Sequence, residues 1–114
     1  MAHEHHTIDY IEFTVKDLAA AKYFYAAAFG WSFNDYGPTD AGIRRGEGES
    51  GGLTVGDPAV GGPLVVLYSS DLAATLKSVT EAEGRIVKEI FEFPGGRRFH
   101  FADPSGNELA VWGT

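Results

Sequence analysis

Asp17-Leu18-Ala19-Ala20 recurs as Asp71-Leu72-Ala73-Ala74, an offset of 54 residues, and the same offset carries Gly30 onto Gly84. Each copy runs from an aspartate to a glycine 13 residues later. Aspartate is a preferred helix N-cap because its carboxylate accepts the unpaired amide hydrogens of the first turn. Glycine is preferred just past a helix C-terminus, where the backbone turns left-handed. In the first copy Leu18, Ala21, Phe24, Tyr25, Ala28 and Phe29 share one helical face, and in the second Leu72, Leu76 and Val79 do so. The spacing predicts helices over 17–29 and 71–83.

Strand-like runs flank both helices. Residues 8–15 and 64–69 precede them; 31–36, 43–45 and 53–55 follow the first, and 85–91, 97–102 and 108–112 follow the second. Most of the 15 glycines and 5 prolines fall between these runs, as turn residues do. The pattern is therefore α+β, a βαβββ unit used twice (about 7–56 and 62–113) in one domain. One such unit covers its sheet on one side only, so two are expected to combine. The expected result is a cupped mixed sheet with two main helices outside and a cavity inside.

Composition narrows the chemistry. The chain has 114 residues, no cysteine, and 16 Asp plus Glu against 9 Lys plus Arg, a net charge of −7. Without cysteine there are no disulfides, thiolate zinc sites or cysteine nucleophiles. An acidic chain repels phosphate backbones, so no nucleic-acid partner is expected. No apolar run approaches the ~20 residues of a membrane span, and the first ten residues are polar where a secretory signal needs an apolar core. A cytoplasmic protein is expected.

The string from Val15 to Trp31, VKDLAAAKYFYAAAFGW, resembles the opening motif of the vicinal oxygen chelate superfamily, the glyoxalase, bleomycin-resistance and extradiol-dioxygenase group. The string from Phe99 to Asn107, FHFADPSGN, resembles that family's closing turn before its last strand. The resemblance implies the paired βαβββ fold and a divalent metal held in the cup by His or Glu. The metal positions it implies are Tyr10, Leu64, Ala110 and one near residues 51–53. These are not imidazoles or carboxylates, so no metal cofactor is expected. The alternative is a divalent metal on shifted ligands, Glu12, His100 and Glu108, in a metal-dependent lyase or dioxygenase.

Alternation along strands sorts the lining of the cup. Tyr10, Glu12 and Thr14 face it, while Ile11, Phe13 and Val15 face the helices. Likewise Leu64, Val66 and Tyr68, then Arg98, His100 and Ala102, then Glu108, Ala110 and Trp112 point inward. Aromatic walls (Tyr10, Tyr68, Trp112) around Glu12, Arg98, His100 and Glu108 describe a small-molecule site. His100 is the side chain suited to proton transfer near neutrality, with Glu12 the second catalytic candidate. Tyr10, Thr14, Leu64, Tyr68, Arg98, Glu108, Ala110 and Trp112 are the candidate ligand-binding residues. Arg98 and Glu108 as a plain cross-strand ion pair, worth ~1 kcal/mol or less, is the competing reading.

Three weaker signals are set aside. Gly46-Glu47-Gly48-Glu49-Ser50-Gly51 fits a dinucleotide fingerprint, but its glutamates repel phosphate and a strand follows, so it reads as a glycine-rich loop. His3, His5 and His6 with Glu4 read as a free terminal segment. Ser69, Ser70 and Ser78 lack the surroundings of a serine nucleophile. The expected function is binding of a small organic molecule without the family's metal, by a homodimer whose pairing covers sheet edges. A regulatory module docking a protein on the cup edge is the reading from another class.

Overall fold

The computed structural model describes residues 3–58 and 62–114. Two compact units divide the chain: Tyr10–Pro63, and Leu64–Thr114 together with the segment that ends at Asp9.

The first unit contains β1 (Ile8–Val15, whose first two residues belong with the second unit), α1 (Leu18–Phe29), β2 (Phe33–Asp35), β3 (Asp40–Arg45) and β4 (Gly48–Val55). Its strands lie in the order β2-β3-β4-β1, antiparallel except for the parallel pair β1 and β4. The second contains β5 (Leu64–Tyr68), α2 (Leu72–Glu81), β6 (Arg85–Phe93), β7 (Gly96–Ala102) and β8 (Glu108–Gly113), in the order β6-β7-β8-β5 with β5 and β8 parallel. Both units are thus βαβββ with the same internal order.

Register sharpens the repeat. Ile11 to Thr14 lie opposite Gly51 to Thr54, and Val65 to Tyr68 lie opposite Leu109 to Trp112. Gly42 faces Gly52, and His100 faces Ala110. The first strands and helices keep the 54-residue offset, whereas later strands are offset by more because nine-residue β6 stands where β2 has three residues.

Both helices start as predicted. The carboxylate of Asp17 accepts from the Ala20 amide at 3.0 Å, and that of Asp71 from Ala74 at 3.1 Å. Gly30 ends α1 in the left-handed conformation, at φ 74°. The second end differs from expectation: α2 stops at Glu81 and Glu83, not Gly84, takes the positive φ (72°). Gly84 is needed for another reason, since a Cβ there would run into the Val79 side chain.

Leu18, Ala41, Ile43 and Leu53 form the first core, with Phe13, Val15, Ala21, Tyr25, Trp31 and Phe33 packed against it. Phe24 and Phe29, expected on the buried face of α1, are instead 56% and 64% exposed. Trp31 fills the space beside the helix, its ring stacked on Tyr25 at 4.7 Å. Leu72, Phe99 and Val111 form the second core, backed by Leu67, Leu76, Val79, Ile86, Ile90 and Phe101.

The glycine-rich stretch at 46–51 is not the open loop expected. Only Gly46 and Glu47 turn; β4 starts at Gly48, with a bulge where its pairing shifts opposite Ile43 and Arg44. Glycine is required in the strand itself, because a Cβ on Gly51 would meet the Ile11 carbonyl oxygen. The turn at 103–107 behaves as its residues predict. Asp103 accepts from the amides of Ser105 and Asn107, both at 2.9 Å, and Gly106 has φ 91°. The bonds from Asn107, side chain first, hold the Asp103 carboxyl below its ordinary range.

Candidate functional site

In the second unit, alternation along β7 and β8 separates two faces. Phe99, Phe101 and Val111 pack with α2, which leaves Arg98, His100, Ala110 and Trp112 on the other face. His100 is only 4% exposed there. Its Nδ1 lies 2.9 Å from Oε2 of Glu108, a side chain 46% exposed at the start of β8. A carboxylate can only accept, so Nδ1 carries the proton and donates. Desolvation pulls the His100 pKa below its ordinary value, opposed next by the bond to Glu108; Arg98 and Lys88 lower it further. The ring is accordingly neutral at pH 7, and Nε2 holds a lone pair. That atom is buried and has no hydrogen-bond partner among the described residues. Buried polar atoms are nearly always satisfied, so this acceptor is the feature of the face that calls for an explanation.

Aromatic rings surround this pair. Phe91, on β6, lies 5.8 Å from the His100 ring, and the Arg98 guanidinium lies 5.5 Å from the centroids of both Phe91 and Phe93. Trp112 makes edge contacts with Tyr68 at 5.1 Å and Phe93 at 6.3 Å. The sequence reading of Tyr68, Arg98, His100, Glu108, Ala110 and Trp112 as one surface thus corresponds to neighbouring positions on β5, β7 and β8. Leu64 begins β5, one residue before the paired run. Phe91 and Phe93 were missed, because shifts in the β6 register between Ile86 and Phe91 break the alternation that would have revealed them.

The N-terminal histidines are not on a free segment. His6 N donates to the Tyr68 carbonyl at 2.7 Å, and Tyr68 N to the Thr7 carbonyl at 3.1 Å, giving the edge of β5 backbone partners. His6 Nε2 reaches Thr75 Oγ1 at 2.9 Å, and Thr75 reaches the buried Ser69 hydroxyl at 2.6 Å. His3 stacks on Tyr68 at 5.2 Å and pairs with Asp9 at 2.7 Å. Asp9 also accepts from the Trp112 indole at 2.9 Å. These bonds hold the aromatic pair Tyr68–Trp112 from one side.

The first unit carries the remaining candidates. Tyr10, Glu12 and Thr14 alternate with Phe13 and Val15, which pack on the core. The Tyr10 hydroxyl rests over Gly52, where a Cβ would collide with it. Burial above all, then the charges of Glu12 and Glu49, push the Tyr10 hydroxyl up to about 12. Glu12 lies opposite Gly52 in the register. Thr14 borders a shallow depression lined by Phe13, Pro58, Gly62 and Pro63.

Glu49 was not singled out from sequence, yet its carboxylate lies over Gly42 and accepts from Asn34 Nδ2 at 2.9 Å and from the Tyr36 hydroxyl. The bond to Glu49 raises the Tyr36 pKa. Gly42 lies just before the run 43–45 read as a strand from sequence, so nothing in that reading marks this group.

The positions implied for a divalent metal offer poor donors. Leu64 and Ala110 have none, and the Tyr10 phenol holds its proton throughout the neutral range. Among the described residues no three His, Cys, Asp or Glu side chains gather in a group able to hold a metal ion. Among them also, no helix is long and apolar enough to cross a membrane.

Comparison with known families and structures agrees with the repeat. The description that matches is "Glyoxalase/Bleomycin resistance protein/Dioxygenase superfamily", over residues 7–111. No curated protein matches the sequence. Among solved structures, one described as an NAD-dependent benzaldehyde dehydrogenase from Legionella pneumophila is similar with a TM-score of 0.72 at 19% identity, covering 90% of this chain and 96% of that one. An Mn(II)-bound glyoxalase from Novosphingobium aromaticivorans gives 0.69 at 24% identity, covering 93% of this chain and 38% of its own. A methylmalonyl-CoA epimerase from Mycobacterium tuberculosis gives 0.67 at 17% identity, covering 99% and 91%. At these identities the likeness is one of fold.

Proposed function

The chain belongs to the Glyoxalase/Bleomycin resistance protein/Dioxygenase superfamily, and from that premise we propose that it binds a small organic molecule without the family's divalent metal. The observation that supports this reading is the His100–Glu108 pair, whose buried Nε2 lacks a partner on a face lined by Phe91 and Trp112. A few polar groups on an aromatic surface are what small-molecule sites provide. Tyr68, Arg98, Ala110 and Trp112 would shape the ligand's seat, with Leu64 at its border. In the first unit Tyr10 and Thr14 are the corresponding candidates. If the bound molecule reacts, His100 is the base, being neutral at pH 7, and Glu12 is the second titratable candidate.

Leu64, Ala110 and a protonated Tyr10 are unsuited to a hard divalent ion, so metal-assisted chemistry is not part of this proposal. The reading extends to a cytoplasmic homodimer with no nucleic-acid or membrane partner. The exposed Tyr23, Phe24 and Phe29 on α1 are apolar surface that a second copy would cover, and light scattering would measure the dimer.

A thermal-shift screen of small organic molecules tests the central claim. Ligands should raise the melting temperature of the native chain, by mass action on the folded state, and His100→Gln should abolish the rise. Excess chelator should leave melting unchanged. A stoichiometric metal found by elemental analysis, or melting that falls on chelation, would overturn the metal-free reading.

A further inference from the structure

We infer that Glu108 is a specificity-determining residue: by fixing His100 as its Nδ1–H tautomer, it makes the site select molecules that donate one N–H or O–H to Nε2. This rests on the ligand-binding reading above and adds the hydrogen-bond polarity of the ligand.

A neutral imidazole has one donor and one acceptor nitrogen, and the bond at one of them decides the role of the other. Here the deciding bond joins Nδ1 to Oε2 of Glu108 at 2.9 Å. A carboxylate has no proton to give, so it accepts from Nδ1 and leaves Nε2 as the acceptor. Two further features make the choice consequential. His100 is 4% exposed, and no described residue bonds its Nε2. Glu108 is 46% exposed on its side chain, so it can be replaced without opening the core.

The consequence is discrimination by polarity. A buried acceptor met by a ligand acceptor or an apolar group stays unsatisfied, and the contact gains nothing there. A ligand donor meets it directly. Phe91, 5.8 Å from the His100 ring, favours a flat partner, so the ligand class is an aromatic or heteroaromatic molecule bearing an N–H or O–H. The aspartate that holds His3 and the Trp112 indole is on the same unit but bonds neither ring nitrogen of His100, so it does not set the tautomer.

Nitrogen-15 NMR of the histidine rings on the full chain at pH 8 reads the tautomer with no ligand needed. The four histidines are few enough that His100→Gln assigns the signal by its loss. The expected result is a protonated Nδ1 and an unprotonated Nε2, shifting toward the opposite tautomer in Glu108→Ala. A protonated Nε2 in the native chain, or an unchanged pattern in Glu108→Ala, would overturn the inference.

Calorimetry with indole and 1-methylindole, in which a methyl group replaces the N–H hydrogen, reads the selection. Indole should bind at least tenfold tighter than 1-methylindole, and the preference should collapse in Glu108→Ala while the melting temperature stays close to native. Equal affinity of the two probes overturns the selection and leaves ligand binding standing. Failure of both to bind, with no hit in the wider screen, overturns both readings.

Discussion

Glu49 and Glu108 occupy matching places in the two units, each on a final strand and each reaching over the strand beside it. In the first unit the neighbour is Gly42, and the Glu49 carboxylate lies flat on the backbone, bonded by Asn34 and Tyr36. In the second the neighbour is His100, at the place where Gly42 stands, and the carboxylate bonds an imidazole. One substitution class, glycine against histidine, changes what the same carboxylate can do. Over glycine it closes a network of hydroxyl and amide donors. Beside histidine it bonds the imidazole Nδ1, and Nε2 has no partner among the described residues. The two units share a fold, but only the second sets an imidazole beside this carboxylate.

The contrast can be broken most severely at the glycines. Gly51→Ala sets a methyl group against the Ile11 carbonyl, which belongs to a paired strand and cannot retreat. A loss of about 3 kcal/mol is expected in urea denaturation, at the upper end of overpacking costs. Gly52→Ala meets the Tyr10 hydroxyl, a group at the end of a side chain, so about 1–2 kcal/mol is expected. Tyr10→Phe in the same chain should recover part of that loss; if the double variant is no better, the collision with the hydroxyl is not the cause.

Titration sharpens the comparison from both ends of the pH scale. Because the folded pKa of His100 is depressed, its contribution is present above the ordinary histidine value near 6.5 and is lost as pH falls through the folded pKa. Native stability should therefore decline on acidification through that window, and the decline should be shallower in His100→Gln. Tyr10 behaves oppositely: its raised folded pKa means that stability holds below pH 10 and falls as pH rises toward about 12. Tyr10→Phe should flatten that alkaline limb, measured by denaturant midpoints at each pH.

The smallest effect is expected where the units agree. Asp17→Ala and Asp71→Ala each remove one bond to a first-turn amide, and about 1 kcal/mol should be lost at both. Unequal losses would mean that the helices contribute differently despite their matched caps.

The backbone plan was legible because its signals are local. Asp17, Asp71 and Gly30 act within a turn of the residues that reveal them, and strand alternation correctly placed Phe13, Val15, Phe99 and Val111 against the helices. What escaped was set by distant partners. Gly84 looked like a helix terminator, but the reason for it is the Val79 side chain. Phe24 and Phe29 have the period of a buried face, yet Tyr25 with Trp31 fills the space available. In the candidate site, His100 and Glu108 were nameable because strand spacing puts them on one face. Glu49 was hidden by the bulge opposite Ile43 and Arg44, which reverses the parity by which a face is counted.

The segment before β1 gives the second unit an order of assembly. His6 bonds Thr75, 69 positions later, and Asp9 bonds Trp112, 103 positions later. Closing loops of this length is slow relative to turns and helices, so these bonds complete the unit late. Until Trp112 is made, the segment ending at Asp9 lacks its indole partner, and the edge of β5 that pairs with β8 is open to another chain. A nascent chain halted before β8 is thus the form most exposed to strand exchange.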